Sequence, residues 1–218
     1  MTTIQKRTFK CAVCGTEERY NIVFSSSTLG SPDLDLRPAE MKRSTMEFWI
    51  QECPKCGYVS KTVSEDPINV TYEWLHTKAY IDCDGLNFRS VLAVKFYKYY
   101  LINIRNGCIG DAYYALLNAA WACDDVGDII NADKCRKSVI QFLDGLITEN
   151  PYSNSEDLKL RKIDLMRRSG QFELLIAEFS SCSFEDEMKN QILAFQLDKA
   201  AKKDSGCYTI EDAVGTEN

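Results

Sequence analysis

Histidine is almost missing from this chain: His76 is the only one in 218 residues. With a single imidazole there is no histidine cluster for a hydrolytic metal, and the sequence shows neither a Ser-His pairing nor a glycine loop that could cradle phosphate. A catalytic constellation is therefore not expected. No stretch approaches the roughly 20 apolar residues of a membrane span, and the start Met1-Thr2-Thr3-Ile4-Gln5-Lys6-Arg7 lacks the apolar region of a signal peptide. A cytoplasmic protein with no membrane partner is expected. Positive charge is not in surplus either, with 26 Lys and Arg against 32 Asp and Glu, a net charge of −6 and a pI near 5.0. A broad basic surface is disfavoured, so nucleic acid is an unlikely partner.

What the chain does have is apolar residues, 45% of the total, which is enough for a substantial core and excludes a disordered or collagen-like chain. It also has ten cysteines. In a reducing compartment these are read for metal binding before disulfides. Four of them fall early as Cys11-Ala12-Val13-Cys14 and Cys53-Pro54-Lys55-Cys56, whereas Cys83, Cys108, Cys123, Cys135, Cys182 and Cys207 stand singly. Residues 1–66 are charge-balanced, nine basic against nine acidic, so the whole net charge lies in 67–218. A boundary is placed between 66 and 67, where a polar, Pro-containing stretch divides strand-like from helix-like periodicity. Three segments are expected: a zinc ribbon over 1–66, a helical domain over 67–204 and a flexible tail over 205–218.

Two residues between cysteines let both thiolates face inward from one tight knuckle, and a second knuckle completes the tetrahedral sulfur site that zinc prefers. Gly15 and Gly57 follow the pairs and can take positive φ, so that backbone N–H groups turn toward the sulfurs. Cys11, Cys14, Cys53 and Cys56 are thus the expected ligands of one structural Zn²⁺. Tyr20, Ile22 and Phe24 alternate with Arg19, Asn21 and Val23, and Met46, Phe48 and Ile50 with Glu47, Trp49 and Gln51, which predicts two strands of a small sheet. Such a sheet needs the metal as a staple. Redox chemistry at Cys53 and Cys56 is the competing reading, but no βαβ pattern surrounds the pair and a matching knuckle lies upstream. Four thiolates also leave no position for a catalytic water, and His76 is read as a surface or packing residue.

Between the knuckles, the 29–46 loop carries Asp33-Leu34-Asp35-Leu36-Arg37-Pro38 and Arg43. Arg37 and Arg43 could grip a carboxylate or phosphate of a ligand or partner. Alternatively Asp33, Asp35 and Glu40 neutralise them within the loop, which requires no ligand.

From Pro67 the apolar spacing becomes helical, first through Ile68, Tyr72, Leu75 and Ala79 in a short helix. Six main helices in three hairpins are expected to follow. The segment 89–105 reads as a mostly buried helix. The alanines 112, 115, 119, 120 and 122 give the next helix a small face for close packing, and Ile130, Cys135, Val139, Phe142, Leu143 and Leu146 stripe the one after. Ser153 to Ser155 can cap a helix, and Ser183 with Asp186 reads as a capping box. Gly170-Gln171-Phe172-Glu173 and Gly127-Asp128 resemble tetratricopeptide (TPR) units, in a degenerate form. Tyr97, Tyr99, Tyr100, Tyr113 and Tyr114 are either core or a groove lining. The single cysteines read as small buried apolar residues. The fold class expected is α+β, mostly α: a small N-terminal zinc-ribbon sheet followed by a TPR-like array of antiparallel helix hairpins.

Taken together, the two C-x-x-C-G knuckles, the 33–38 loop, Trp49-Ile50-Gln51-Glu52-Cys53-Pro54-Lys55-Cys56-Gly57-Tyr58 and Ala120-Trp121-Ala122-Cys123-Asp124-Asp125 resemble an uncharacterised bacterial family over most of the chain. The resemblance implies a split zinc ribbon followed by TPR-like helices, with the same four cysteines as ligands, and supplies no reaction. The function expected is a non-enzymatic zinc-binding adaptor that holds a protein partner through its helices. A nucleic-acid-associated zinc-ribbon protein is the first alternative and an enzyme of unknown type the second.

Overall fold

The computed structural model describes residues 1–149 and 155–215. It is α+β and mostly α: a small N-terminal antiparallel sheet precedes eight α-helices among the described residues. Contacts divide the chain into two compact units, one of Met1–Thr28 with Glu40–Cys135, the other of Leu29–Ala39 with Arg136–Asn218. The division differs from the one expected at 66 and 67. The ribbon shares its unit with helices, and part of the loop between the knuckles belongs to the second unit.

In the first unit β1 (Thr2–Lys10) and β2 (Glu17–Ser26) form a hairpin, and β3 (Gln51–Glu52) and β4 (Val59–Ser60) form a second, shorter one. β1 is a strand beyond the two that alternation predicts. Phe24, expected on the inner face of its strand, is 63% exposed. A register shift between Thr3 and Ile4 explains this: Ile4 pairs Val23 while Thr3 pairs Ser25, leaving Phe24 as the extra residue of a bulge. The strand expected over 46–50 is instead part of a 3-10 helix, Arg43–Phe48. The Thr45 hydroxyl donates to Lys42 O at 2.7 Å and the Trp49 indole donates to Thr45 Oγ1 at 2.8 Å, so a tight turn satisfies polar groups that an isolated strand would leave open.

The predicted short helix is broken into a 3-10 turn, Trp74–His76, and α1 (Lys78–Ile81), with Ile68 and Tyr72 exposed rather than striped inward. His76 is exposed, its ring 4.4 Å from that of Tyr72. Then α2 (Val91–Asn106) and α3 (Ile109–Asp124) pack as a hairpin. Ser90 caps α2 by accepting the Ala93 N–H at 3.2 Å. The alanine face of α3 is buried throughout. Tyr97, Tyr99 and Tyr113 are core, Tyr100 is half-buried and Tyr114 exposed. α4 (Ile129–Glu149) buries Cys135, Val139 and Leu143 but exposes Ile130. Leu146 and Ser153 to Ser155 carry no described side chain.

Asp128, buried before α4, accepts the Arg89 N–H at 2.9 Å and the Asn131 side-chain amide at 2.8 Å. Burial pushes its carboxyl up, but those hydrogen bonds outweigh burial and hold it below the ordinary range. Its contribution is therefore present above the unfolded pKa of about 4 and is lost as pH falls through the lower folded value. Asp128→Ala is expected to cost about 1–3 kcal/mol at neutral pH, read from urea midpoints, with a penalty that shrinks in acid.

The second unit holds α5 (Ser155–Arg168), α6 (Phe172–Phe179), α7 (Glu187–Ala201) and α8 (Ile210–Val214). α5 packs on α6 and α7, around Ile163, Leu165, Met166, Leu175, Phe179 and Leu193. The cap of α7 is Asp186, which accepts the Lys189 N–H at 3.2 Å, rather than a Ser183 box. Residues 205–215, expected as a flexible tail, are built in. Leu34 N–H donates to Tyr208 O at 2.9 Å, Ile210 N–H donates to Pro32 O at 2.9 Å, and Thr209 with Asp212 forms a capping box on α8. Among the single cysteines, Cys83, Cys123 and Cys135 are buried, Cys108 and Cys182 half-buried and Cys207 exposed.

Candidate metal centre

Each C-x-x-C pair is the turn of a β-hairpin, and the two turns have the same geometry. Cys11 N–H donates to Thr16 O at 2.8 Å and Gly15 N–H to Cys11 O at 2.8 Å; Cys53 N–H donates to Tyr58 O at 2.8 Å and Gly57 N–H to Cys53 O at 2.9 Å. Gly15 and Gly57 both sit at φ 71°. This closure costs an L-residue energy and costs glycine little, which is why each knuckle ends on one.

The knuckles bring Cys11, Cys14, Cys53 and Cys56 together, with one sulfur from each lying within 4.8 Å of all the others. Cys11 Sγ is 3.7 Å from Cys56 Sγ and Cys14 Sγ is 3.5 Å from Cys53 Sγ. These separations are far too long for disulfides, which bond at about 2.05 Å. They match the edge of a sulfur tetrahedron, about 3.8 Å when each metal–sulfur bond is about 2.3 Å. Three of the sulfurs also receive backbone donors: Val13 and Cys14 N–H toward Cys11, Thr16 N–H toward Cys14, and Tyr58 N–H toward Cys56. That donor set suits thiolate ligands, whose charge it spreads. The four cysteines are positioned to bind a metal ion.

Their protonation differs with their surroundings. Burial pushes Cys11 and Cys56 up, with backbone donors working the other way. At Cys14 burial is opposed and outweighed by the Thr16 hydroxyl, the Thr16 N–H and the neighbouring thiols, and the thiol falls to about 6. Cys14 Sγ and Thr16 Oγ1 lie 3.3 Å apart.

The supports of the centre were not legible beforehand. Tyr20 OH donates to Glu52 O at 3.1 Å, tying the two hairpins, and Ala12 N–H donates to Val63 O at 2.9 Å in the segment after β4. Tyr80 OH donates to Gly57 O at 2.6 Å, and Lys98 Nζ lies 3.0 Å from Glu52, so α1 and α2 hold the second knuckle. Tyr80 and Lys98 lie beyond the knuckles in sequence and carry no spacing signal that links them to it.

Arg37 and Arg43 fall in different units. Arg37 is buried, 6% exposed, in the Leu29–Ala39 segment, and Arg43 is half-buried at the start of the 3-10 helix; neither is without a partner. Among their supposed neighbours, Asp35 pairs with Arg168 at 3.0 Å, Asp33 accepts the Cys207 thiol at 3.2 Å, and Glu40 accepts the Ser44 hydroxyl at 2.5 Å.

Set against protein-family models, curated proteins and solved structures, the chain matches none. No helix among the described residues is long and apolar enough to cross a membrane.

Proposed function

We propose that this protein is a non-enzymatic adaptor in which one structural Zn²⁺ staples the ribbon and the helices hold a protein partner. The observation that carries the reading is the closed sulfur shell. Four thiolates complete a tetrahedron, so a metal held there has no open position for substrate or water. Bound zinc would keep all four sulfurs deprotonated and lock the two hairpins together. Zinc and iron both accept four sulfurs in a tetrahedron, and the metal analysis below separates them.

For the partner, the second unit offers an open depression of about 260 Å³ lined by Leu34, Leu36, Leu160, Met188 and Ile192. Leu36, at φ 67° and 42% exposed, and Met188, 53% exposed, present apolar surface at its rim. A partner's apolar side chain would seat there, as at the centre of other interfaces.

Metal analysis of the purified protein should give close to one zinc per chain, lost in the Cys53→Ser, Cys56→Ser double variant. Iron in its place, or zinc retained by that variant, would overturn the metal assignment. A partner purified from the native source and reconstituted should bind wild type and lose at least tenfold in affinity with Met188→Asp. Equal affinity would remove the helices from the reading.

A further inference from the structure

β1 and β2 form a two-stranded sheet, so each has one edge with no strand beside it. A hairpin of two strands is marginal in water by itself and gains from a third. In an antiparallel pair, residues that exchange hydrogen bonds with the partner alternate with residues whose N–H and C=O point away from it. The Cys11 N–H to Thr16 O bond makes those two a bonded pair, and the alternation follows along the ladder. Phe9 and Arg7 bond to β2 opposite Glu18 and Tyr20, whereas Lys10, Thr8 and Lys6, opposite Glu17, Arg19 and Asn21, turn their main-chain groups outward. The Arg19 N–H agrees with this, because it leaves the ladder and donates to Glu18 Oε1 at 2.7 Å.

The two edges differ. On β2 the Glu18 carboxylate already takes an outward donor. On β1 the outward N–H groups of Lys6, Thr8 and Lys10 have no acceptor among the described residues, and all three residues are exposed. The strands also differ in charge: β1 carries Lys6, Arg7 and Lys10 with no acid, whereas β2 sets Glu17 and Glu18 beside Arg19. Along β1, Lys6 and Lys10 share the face of Thr8, and Arg7 lies on the opposite one.

We infer that β1 takes up an extended acidic segment of a partner protein as a third strand of the hairpin. The outward main-chain groups of Lys6, Thr8 and Lys10 pair with the main chain of that segment, and the three cations pair with its side chains. A second copy of this chain is a poor occupant, because pairing β1 with itself sets three cations against three. A nucleic-acid strand offers no row of N–H and C=O groups to continue the ladder. The complementary segment has acids four residues apart, opposite Lys6 and Lys10, and a third on its other face, opposite Arg7. The inference goes beyond the adaptor reading, which concerns the helices, and neither depends on the other.

The test titrates full-length, metal-loaded protein at low salt into a fluorescein-labelled peptide, Thr-Glu-Val-Thr-Glu-Glu-Thr-Val, and follows anisotropy. Thr8→Pro removes an outward N–H that β2 does not use, so it should weaken binding roughly tenfold or more while metal content stays at the wild-type level. Asn21→Pro, the same change on the free edge of β2, should bind like wild type. Lys6→Gln with Lys10→Gln should also lose roughly tenfold or more, through the charges alone. Two further peptides, N-methylated on one or the other set of alternate residues, need no protein variant: one set faces β1 and should abolish binding, and the other faces solvent and should keep it. No binding of the parent peptide, equal binding of the two methylated peptides, an equal loss in Asn21→Pro, or preference for an oligothymidylate over the peptide would each overturn the proposal.

Discussion

Taking away the metal is expected to cost the first unit its helices as well as its ribbon. The sequence alone suggests the opposite, a metal-dependent ribbon beside helices that stand on their own stripes. In the structure Tyr58 and Val59, directly after the second knuckle, are 2% and 0% exposed, and β4 packs on α2. Tyr80 and Lys98 attach α1 and α2 to the second hairpin at Gly57 and Glu52. Structural zinc contributes on the order of 10 kcal/mol to folding, comparable with the whole stability of a domain at about 5–15 kcal/mol. With that contribution gone the α2–α3 hairpin loses the surface it packs against. The Cys53→Ser, Cys56→Ser variant should accordingly lose far-ultraviolet helical signal, although the ribbon contains no α-helix, while the signal of the second unit remains. A variant with the full helical spectrum would show that α2 and α3 fold without the metal.

The features legible in the sequence were local ones. The four-cysteine cluster could be read because two C-x-x-C-G turns specify their own geometry, each closing on its own backbone within six residues. The six main helices could be read because 3.6-residue periodicity is carried by every turn of a helix. Alternation was weaker guidance: it placed β2 correctly but took Met46, Phe48 and Ile50 for a strand, since three apolar residues are too few to separate a period of two from a 3-10 turn. The bulge that turns out Phe24 depends on the partner strand and leaves no mark on β2 itself.

The 29–39 segment was opaque for a different reason. Asp33, Asp35 and Arg37 look like a solvated charged loop, yet they are 2%, 1% and 6% exposed. Asp35 tolerates burial because Arg168, 133 positions later, pairs with it, and Asp33 because the Cys207 thiol donates to it. Neighbouring acids and bases in sequence suggest pairing inside the loop, and there the Arg37 N–H donates to Asp35 Oδ1 at 3.2 Å, but Asp33 and Asp35 also take partners from the C-terminal part that no local pattern announces. The same long-range pairing fixes the residues after 204 that composition marks as a tail.

Arg167→Ala is expected to be the most damaging single substitution in the second unit. Arg167 is fully buried, 0% exposed, on α5. Its Nε donates to Gln196 Oε1 at 3.1 Å, Nη1 donates to Asp204 O at 3.0 Å and Gly206 O at 2.7 Å, and Nη2 donates to Asp164 Oδ1 at 2.7 Å. Its guanidinium also lies 5.2 Å from the centre of the Tyr208 ring. One side chain thus joins α5 and α7 to the closing segment. Truncation would leave Asp164, 1% exposed, without that cation and two main-chain carbonyls without their donor. Breaking a buried pair from one side costs about 3–5 kcal/mol, most of it the stranded charge. Arg167→Lys keeps the charge but offers a point where a fork is needed, so an intermediate loss is expected. Because the stranded carboxylate carries the penalty, adding Asp164→Asn to Arg167→Met should recover part of the stability lost by Arg167→Met alone. Urea unfolding of the four variants decides the matter. A loss under 1 kcal/mol for Arg167→Ala, or no recovery in the double variant, would show that the network does not hold this unit together.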